Sequence, residues 1–188
     1  LTVTNNIDLS TEGGLVWVKR RDATAAHALF DTVRGQNIIE SQSSGGQDAF
    51  SAYGGSASAS YNTNGFGING TGASNLNSSS GEFVSWTFRK APKFFDIVTY
   101  TGNSIGGTTV NHNLGSVPGM IIIKNISHGS SNWRVYHRGI NSSLGYSDPE
   151  EYVLILNGAN EANDSNSFWN DTAPTSTQFT LGGDDDVN

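Results

Sequence analysis

Gly14-Leu15-Val16-Trp17-Val18-Lys19 recurs 105 residues later as Gly119-Met120-Ile121-Ile122-Ile123-Lys124. Each run is short, apolar and rich in β-branched residues. Each is entered from glycine and left through lysine, and so reads as a strand. The match continues in order. Leu9 corresponds to Leu114, His27-Ala28-Leu29-Phe30-Asp31 to Trp133-Arg134-Val135-Tyr136-His137, and Arg34-Gly35 to Arg138-Gly139. Phe66-Gly67-Ile68-Asn69-Gly70 corresponds to Phe179-Thr180-Leu181-Gly182-Gly183, and Asn75-Leu76-Asn77 to Asp186-Val187-Asn188. One such match between strands arises by chance; several in order, with only loop lengths changing, mark an internal repeat.

Between these anchors the apolar segments stay strand-sized. Glu82-Phe83-Val84-Ser85-Trp86-Thr87-Phe88 alternates, and Val84, Trp86 and Phe88 are expected to form its core face. Phe94–Tyr100, Tyr152–Leu156 and Gln178–Leu181 read as further strands, with Gly, Asn and Ser between them. The expected fold is all-β, an antiparallel β-sandwich or jelly roll made of two tandem similar units, 1–92 and 93–188. The first unit lacks a counterpart of the opening strand Phe94–Tyr100. The second stops before a counterpart of its final strand, Phe83–Phe88. Both are therefore read as incomplete: the chain, which starts at Leu1, is cut from a longer array, or a neighbouring chain donates the missing strands. Ser41–Ser80, rich in Ser, Gly, Asn and Ala, reads as a long surface loop or a pair of weak strands; the sharper reading is a strand edge used in oligomer contacts.

Composition narrows the function. The chain has 188 residues with 10 Lys+Arg against 17 Asp+Glu, a net charge of −7 that argues against nucleic acid as a partner. It has no Cys, which excludes disulfide scaffolds, thiol nucleophiles and thiolate metal sites. Charged residues make up only 14%, and the uncharged polar surface this leaves suits a secreted or virion-borne module. No apolar run approaches a membrane span, and no signal peptide is evident.

Several stretches together resemble a domain family, without assigned function, found in virion proteins of tailed phages, many of them marine phages and cyanophages. They are Gly14–Arg21, Leu29–Gly35, Lys90–Asn103, Val110–Ile121 and Trp169–Thr177. The piece His112-Asn113-Leu114-Gly115-Ser116-Val117-Pro118 resembles, less specifically, a hairpin of distal phage-fibre domains and lectin-like phage modules. The resemblance implies a tail-fibre, structural or lectin/laminin-G-like jelly-roll protein, located in the virion as an extracellular particle. The part of the virion is left open.

Candidate chemistry is sparse. A lectin-fold glycosidase needs two carboxylates facing the substrate together. Here the only adjacent acids are Glu150-Glu151 and Asp184-Asp185-Asp186, whose neighbours point to opposite faces of a strand. There is no Gly-x-Ser-x-Gly elbow, His-Glu-x-x-His or phosphate loop. Asp184–Asp186 could form a Ca²⁺ loop, but a solvated turn is the plainer reading, since the matching Thr71–Asn75 carries no acid. His112 is expected to hydrogen-bond within its own hairpin, and His128 with His137 lacks a third ligand. No metal site and no cofactor are expected. Lys19-Arg20-Arg21 with Lys90 and Lys93 is the one basic grouping, read as solvated strand ends. Of the four Trp residues, Trp17 and Trp86 are expected in the core. Trp133 and Trp169, in polar surroundings, are the candidates for an exposed platform on which a sugar ring could stack.

The expected function is that of a structural virion protein of a tailed phage: a tail-fibre, appendage or capsid-decorating subunit contributing to host-surface attachment. The alternative is a lectin-like glycan-binding module, and the third reading a glycan-degrading enzyme. Expected partners are copies of itself or neighbouring virion proteins, and host surface glycan.

Overall fold

The computed structural model describes residues 1–70, 75–140 and 148–188. Chain contacts divide it into two compact units, Leu1–Gln42 with Gln47–Ala91, and Ser43–Gly46 with Pro92–Asn188. Apart from one short helix and two 3-10 turns, the described elements are strands, and every pairing between them is antiparallel, consistent with a β-sandwich.

The first unit contains β1 (Thr2–Thr4), β2 (Gly14–Arg20), β3 (His27–Asp31), β4 (Asn37–Glu40), β5 (Asp48–Ala49), β6 (Ser58–Asn62), β7 (Gly65–Asn69) and β8 (Phe83–Arg89). One sheet runs in the order β5-β4-β3-β2-β8, the other β1-β7-β6. Val16 and Val18, two apart on β2, point to the same face and are buried with Ala28, Phe30, Ile38, Ala59, Phe66 and Ile68 of both sheets. Phe30 is the centre of this core. Its ring meets Phe50 edge-on at 5.1 Å and Phe66 at 6.0 Å, contacts worth about 1 kcal/mol each beyond the area they bury.

The Ser41–Ser80 stretch takes the second of its expected forms, a pair of strands, β6 with β7, and it is not a surface loop. Phe50, Ala57, Ala59, Phe66, Ile68 and Leu76 are all buried. Ala57 and Ala59 alternate with Ser58 and Ser60, so small size hides a period-two strand. Gly65, at φ +149°, shows why β7 is rich in glycine: a Cβ there would lie 2.0 Å from the Val3 carbonyl oxygen on β1.

The second unit contains β9 (Thr108–Asn111), β10 (Met120–Ile123), β11 (Arg134–His137), β12 (Tyr152–Ile155), β13 (Asn163–Asp164), α1 (Asn166–Trp169) and β14 (Gln178–Leu181). Its sheets are β10-β11-β12-β13 and β14-β9. Val110, Phe179 and Leu181 of one sheet are buried with Ile123, Tyr136 and Val153 of the other, joined by Phe168 and Trp169. The single-turn helix α1 starts where the Ser165 hydroxyl accepts from Ser167 N–H at 3.3 Å and ends on Asn170 in the left-handed conformation.

Phe94–Tyr100 is not a strand. Its side chains hold it instead. Tyr100 donates to the Val187 carbonyl at 2.6 Å and meets Phe179 edge-on, while Ile97 N–H bonds the Asp96 carboxylate. Aromatic content made this stretch look like a strand, but side-chain anchoring of extended chain produces the same pattern.

The register of the two units coincides at every pairing they share. Val16 pairs with Phe30, and Ile121 with Tyr136; Leu29 with Ile39, and Val135 with Leu154. Asn37 pairs with Ala49, and Tyr152 with Asp164; Val3 with Phe66, and Val110 with Phe179. Among the described residues the units differ at two edges: β2 carries β8 on the side away from β3 whereas β10 ends its sheet, and β7 carries β6 whereas β14 pairs with β9 alone.

Candidate functional site

Because Val16 and Val18 face the core, Leu15, Trp17 and Lys19 must face the other side of β2. The pairings then lay a row across four strands: Trp86 of β8, Trp17, Leu29 of β3 and Ile39 of β4. Leu29 and Ile39 are buried, Trp17 is half-buried, and Trp86 is 44% exposed. Trp17 meets Trp86 at 5.5 Å and His27 at 5.7 Å, both edge-on. Its indole N–H donates to His27 Nδ1 at 3.1 Å. An acceptor Nδ1 requires the neutral ring with its proton on Nε2. Desolvation, then the nearby Lys19 charge, push the His27 pKa below the usual histidine value.

This aromatic triad reverses the expected placement of the tryptophans. Trp17 and Trp86 lie outside the core, on the face opposite Val16 and Val18. On β8 it is Phe83, not Trp86, that packs against the core; Thr87, which shares its face, accepts from the Asn5 amide at 2.9 Å. Trp133 and Trp169 are 4% and 2% exposed and offer no open platform. Trp169 meets Tyr136 edge-on at 6.0 Å and donates to the Tyr152 carbonyl. Trp133 donates to the Ser43 carbonyl. Their polar neighbours in sequence misled because those side chains make caps and turns beside the buried rings. Asn170, for example, ends α1 as a left-handed cap directly after Trp169. The alternation of Val16 and Val18 was the signal that could have placed Trp17 on the open face.

The other polar groupings are structural. Asp186 takes Arg134 in an ion pair at 2.7 Å and Asn132 N–H at 3.3 Å, while Asp184 accepts from Asp186 N–H. Arg134 also lies 4.3 Å over the Phe168 ring. Comparison with the first-copy Thr71–Asn75 falls mostly outside the described residues. Among the described residues no group of three or more His, Asp or Glu side chains could hold a metal ion. His112 stacks on Phe179, accepts Leu114 N–H at Nδ1 and lies 3.3 Å from the Thr175 carbonyl through Nε2, hydrogen bonds that serve its own hairpin and the segment beside it. Lys124 Nζ donates to the Ser44, Asn125 and Ser131 carbonyls, and desolvation lowers its pKa. In the basic grouping, Lys19 Nζ donates to the Ala25 carbonyl and Arg20 pairs with Asp22, whose carboxyl this bond draws down to about 2. No described helix is long and apolar enough to cross a membrane.

An open polar concavity, a shallow depression of about 470 Å³ in the first unit, is lined by Ser10, Thr11, Glu12, Thr32, Tyr61 and Lys90 among others. Beneath it, Tyr61 donates to the Asp31 carbonyl at 2.6 Å, so its hydroxyl is spent on the turn rather than offered to a ligand.

The class these features define is a two-unit, antiparallel β protein with an exposed tryptophan on a sheet face. Residues 2–188 match the family described as Domain of unknown function (DUF7483), and the chain belongs to it. No curated protein and no solved structure matches it.

Proposed function

We propose that this chain is a structural, non-enzymatic subunit of a tailed-phage virion, part of a tail fibre, appendage or capsid decoration, that contributes to attachment at the host surface. The observation that carries the reading is the coincident register of the two units, which we take as tandem copies of one pattern. Repetition of a β module by pairing alone suits an extended particle component, because backbone ladders bear load without any catalytic group. The resemblance of Gly14–Arg21 and Lys90–Asn103 to virion domains adds the phage context. Its neighbours would be copies of itself or other virion proteins.

The test is a reconstruction by electron microscopy of phage particles whose genome encodes this chain, with antibody labelling. Symmetric copies on the particle are the expected result. A chain absent from purified particles overturns the proposal.

A second, lectin-like reading is favoured by one observation, the 44% exposure of Trp86 beside Trp17. An exposed indole face accepts the C–H face of a pyranose. A glycan array read with the wild type and Trp86→Ala decides it. Signals that vanish in the variant support glycan stacking at Trp86; equal signals or none discard it.

A further inference from the structure

We infer that the saccharide received by the open face of Trp86 is an acidic one, whose stacked ring carries a carboxylate or sulfate that Lys19 and His27 take. The inference rests on the lectin-like reading above and adds the charge of the ligand. Trp86 supplies the apolar half of the site. It is 44% exposed, and Trp17 meets it edge-on at 5.5 Å and braces it from one side. Val84 and Phe88, two residues either way along β8, share its face and are half-buried around it.

Beside this platform the face carries one unmatched charge. Lys19 lies two residues beyond Trp17 on β2 and pairs with Val84 on one side and His27 on the other. It is thus a diagonal neighbour of Trp86, about 7–8 Å away between Cβ atoms, a span that one pyranose ring with its exocyclic substituent bridges. Lys19 Nζ donates to the Ala25 carbonyl at 2.9 Å and makes no ion pair among the described residues, so donors of the ammonium remain for a ligand. His27 accepts the Trp17 indole N–H at Nδ1. Its proton therefore sits on Nε2, and among the described residues that N–H has no acceptor.

The other charges of the face are matched. Beyond Lys19 the alternation brings Arg21 beside Glu82, where Arg21 N–H donates to the Glu82 carbonyl at 2.7 Å. At the end of β3, Asp31 is taken by Arg34 in an ion pair at 2.6 Å. The chain as a whole carries a net charge of −7, yet the group next to its exposed tryptophan is a cation with a neutral N–H donor alongside. A charge-assisted hydrogen bond is stronger than a neutral one, and the apolar surround of Trp86 keeps water from competing with it on one side. The arrangement favours an anionic ring over its neutral counterpart.

The experiment is calorimetric titration of the full chain with three probes of equal length: galactotriose, trigalacturonate and a sulfated galactose trisaccharide. An acidic probe is expected to bind roughly tenfold or more tighter than galactotriose, and the tighter of the two acidic probes tells carboxylate from sulfate. Lys19→Gln, which keeps an amide donor for the Ala25 carbonyl, should bring acidic and neutral affinities together. Lys19→Arg should restore the gap, and Trp86→Ala should remove binding of all three; circular dichroism checks that each variant is folded. Equal affinities in the wild type, or a gap that Lys19→Gln leaves unchanged, overturn the inference and leave the lectin-like reading standing. No saturable binding of any probe overturns the inference, while the glycan array decides the lectin-like reading separately. Acidic binding that survives Trp86→Ala is charge attraction without stacking and overturns it too. So does an oligothymidylate of equal charge bound as tightly as the acidic sugars, since the face is then a platform for bases.

Discussion

The indole N–H of Trp17 donates to Nδ1 of His27, a hydrogen bond of 3.1 Å between neighbouring strands of one sheet face. The bond exists only while His27 is neutral, and desolvation together with Lys19 holds its pKa below the usual value. The unfolded chain then binds a proton more readily than the folded one. Stability is therefore full above pH ~6.5, the ordinary histidine value, and falls as pH drops through it towards the lowered native value. Urea unfolding between pH 5 and pH 8 should show this slope in the wild type. The slope should be smaller in His27→Asn, which keeps an acceptor near the position of Nδ1 and cannot titrate. Identical slopes would exclude His27 as the cause.

Asp31 and Arg34 form a nearly dry ion pair at 2.6 Å, with 3% and 8% of their side chains exposed. The Asp31 carboxylate also accepts Val33 N–H and Arg34 N–H, which fixes the turn after β3. Removing one member of a buried pair strands the other. Arg34→Leu is expected to cost about 3 kcal/mol in chemical denaturation. A loss under about 1 kcal/mol, the range of an exposed pair, would mean that water reaches the site.

Trp169→Ala removes a ring that is 2% exposed, its edge contact with Tyr136 and its bond to the Tyr152 carbonyl. The expected cost is about 4 kcal/mol. Trp86→Ala, at an exposed site, should cost less than about 1.5 kcal/mol, the order of one aromatic pair. Thermal melts of the two variants should therefore separate clearly; equal shifts would contradict the burial assigned to them.

Gly65→Ala tests the close approach of β7 to β1. The added methyl would meet the Val3 carbonyl oxygen, and the residue would keep a φ of +149°. A cost of at least about 2 kcal/mol is expected, with hydrogen exchange rising first at Val3 and Thr4. Protection of β1 unchanged from wild type would show that the strand can move aside.

The shared register was legible because matching apolar runs must answer to matching ladder positions: Val16 and Ile121 are alike because each faces a core opposite an aromatic, Phe30 or Tyr136. The candidate site was not. In Glu82–Phe88 both faces carry aromatics, so alternation alone could not say which one is buried. The polar neighbours of Trp133 and Trp169 were equally silent about burial, since Asn and Ser serve turns beside a core as readily as they serve solvent.

By itself the sequence determined the all-β class, the antiparallel strands and the order of matching segments. These follow from local periodicity, turn residues and chain length. Only the tertiary structure decided which face of β2 and β8 is buried, that Trp86 rather than Trp133 or Trp169 is open, and that among the described residues β10 ends its sheet where β2 does not. Burial and pairing are properties of what lies across a sheet, often many tens of residues away along the chain, and no local pattern encodes them.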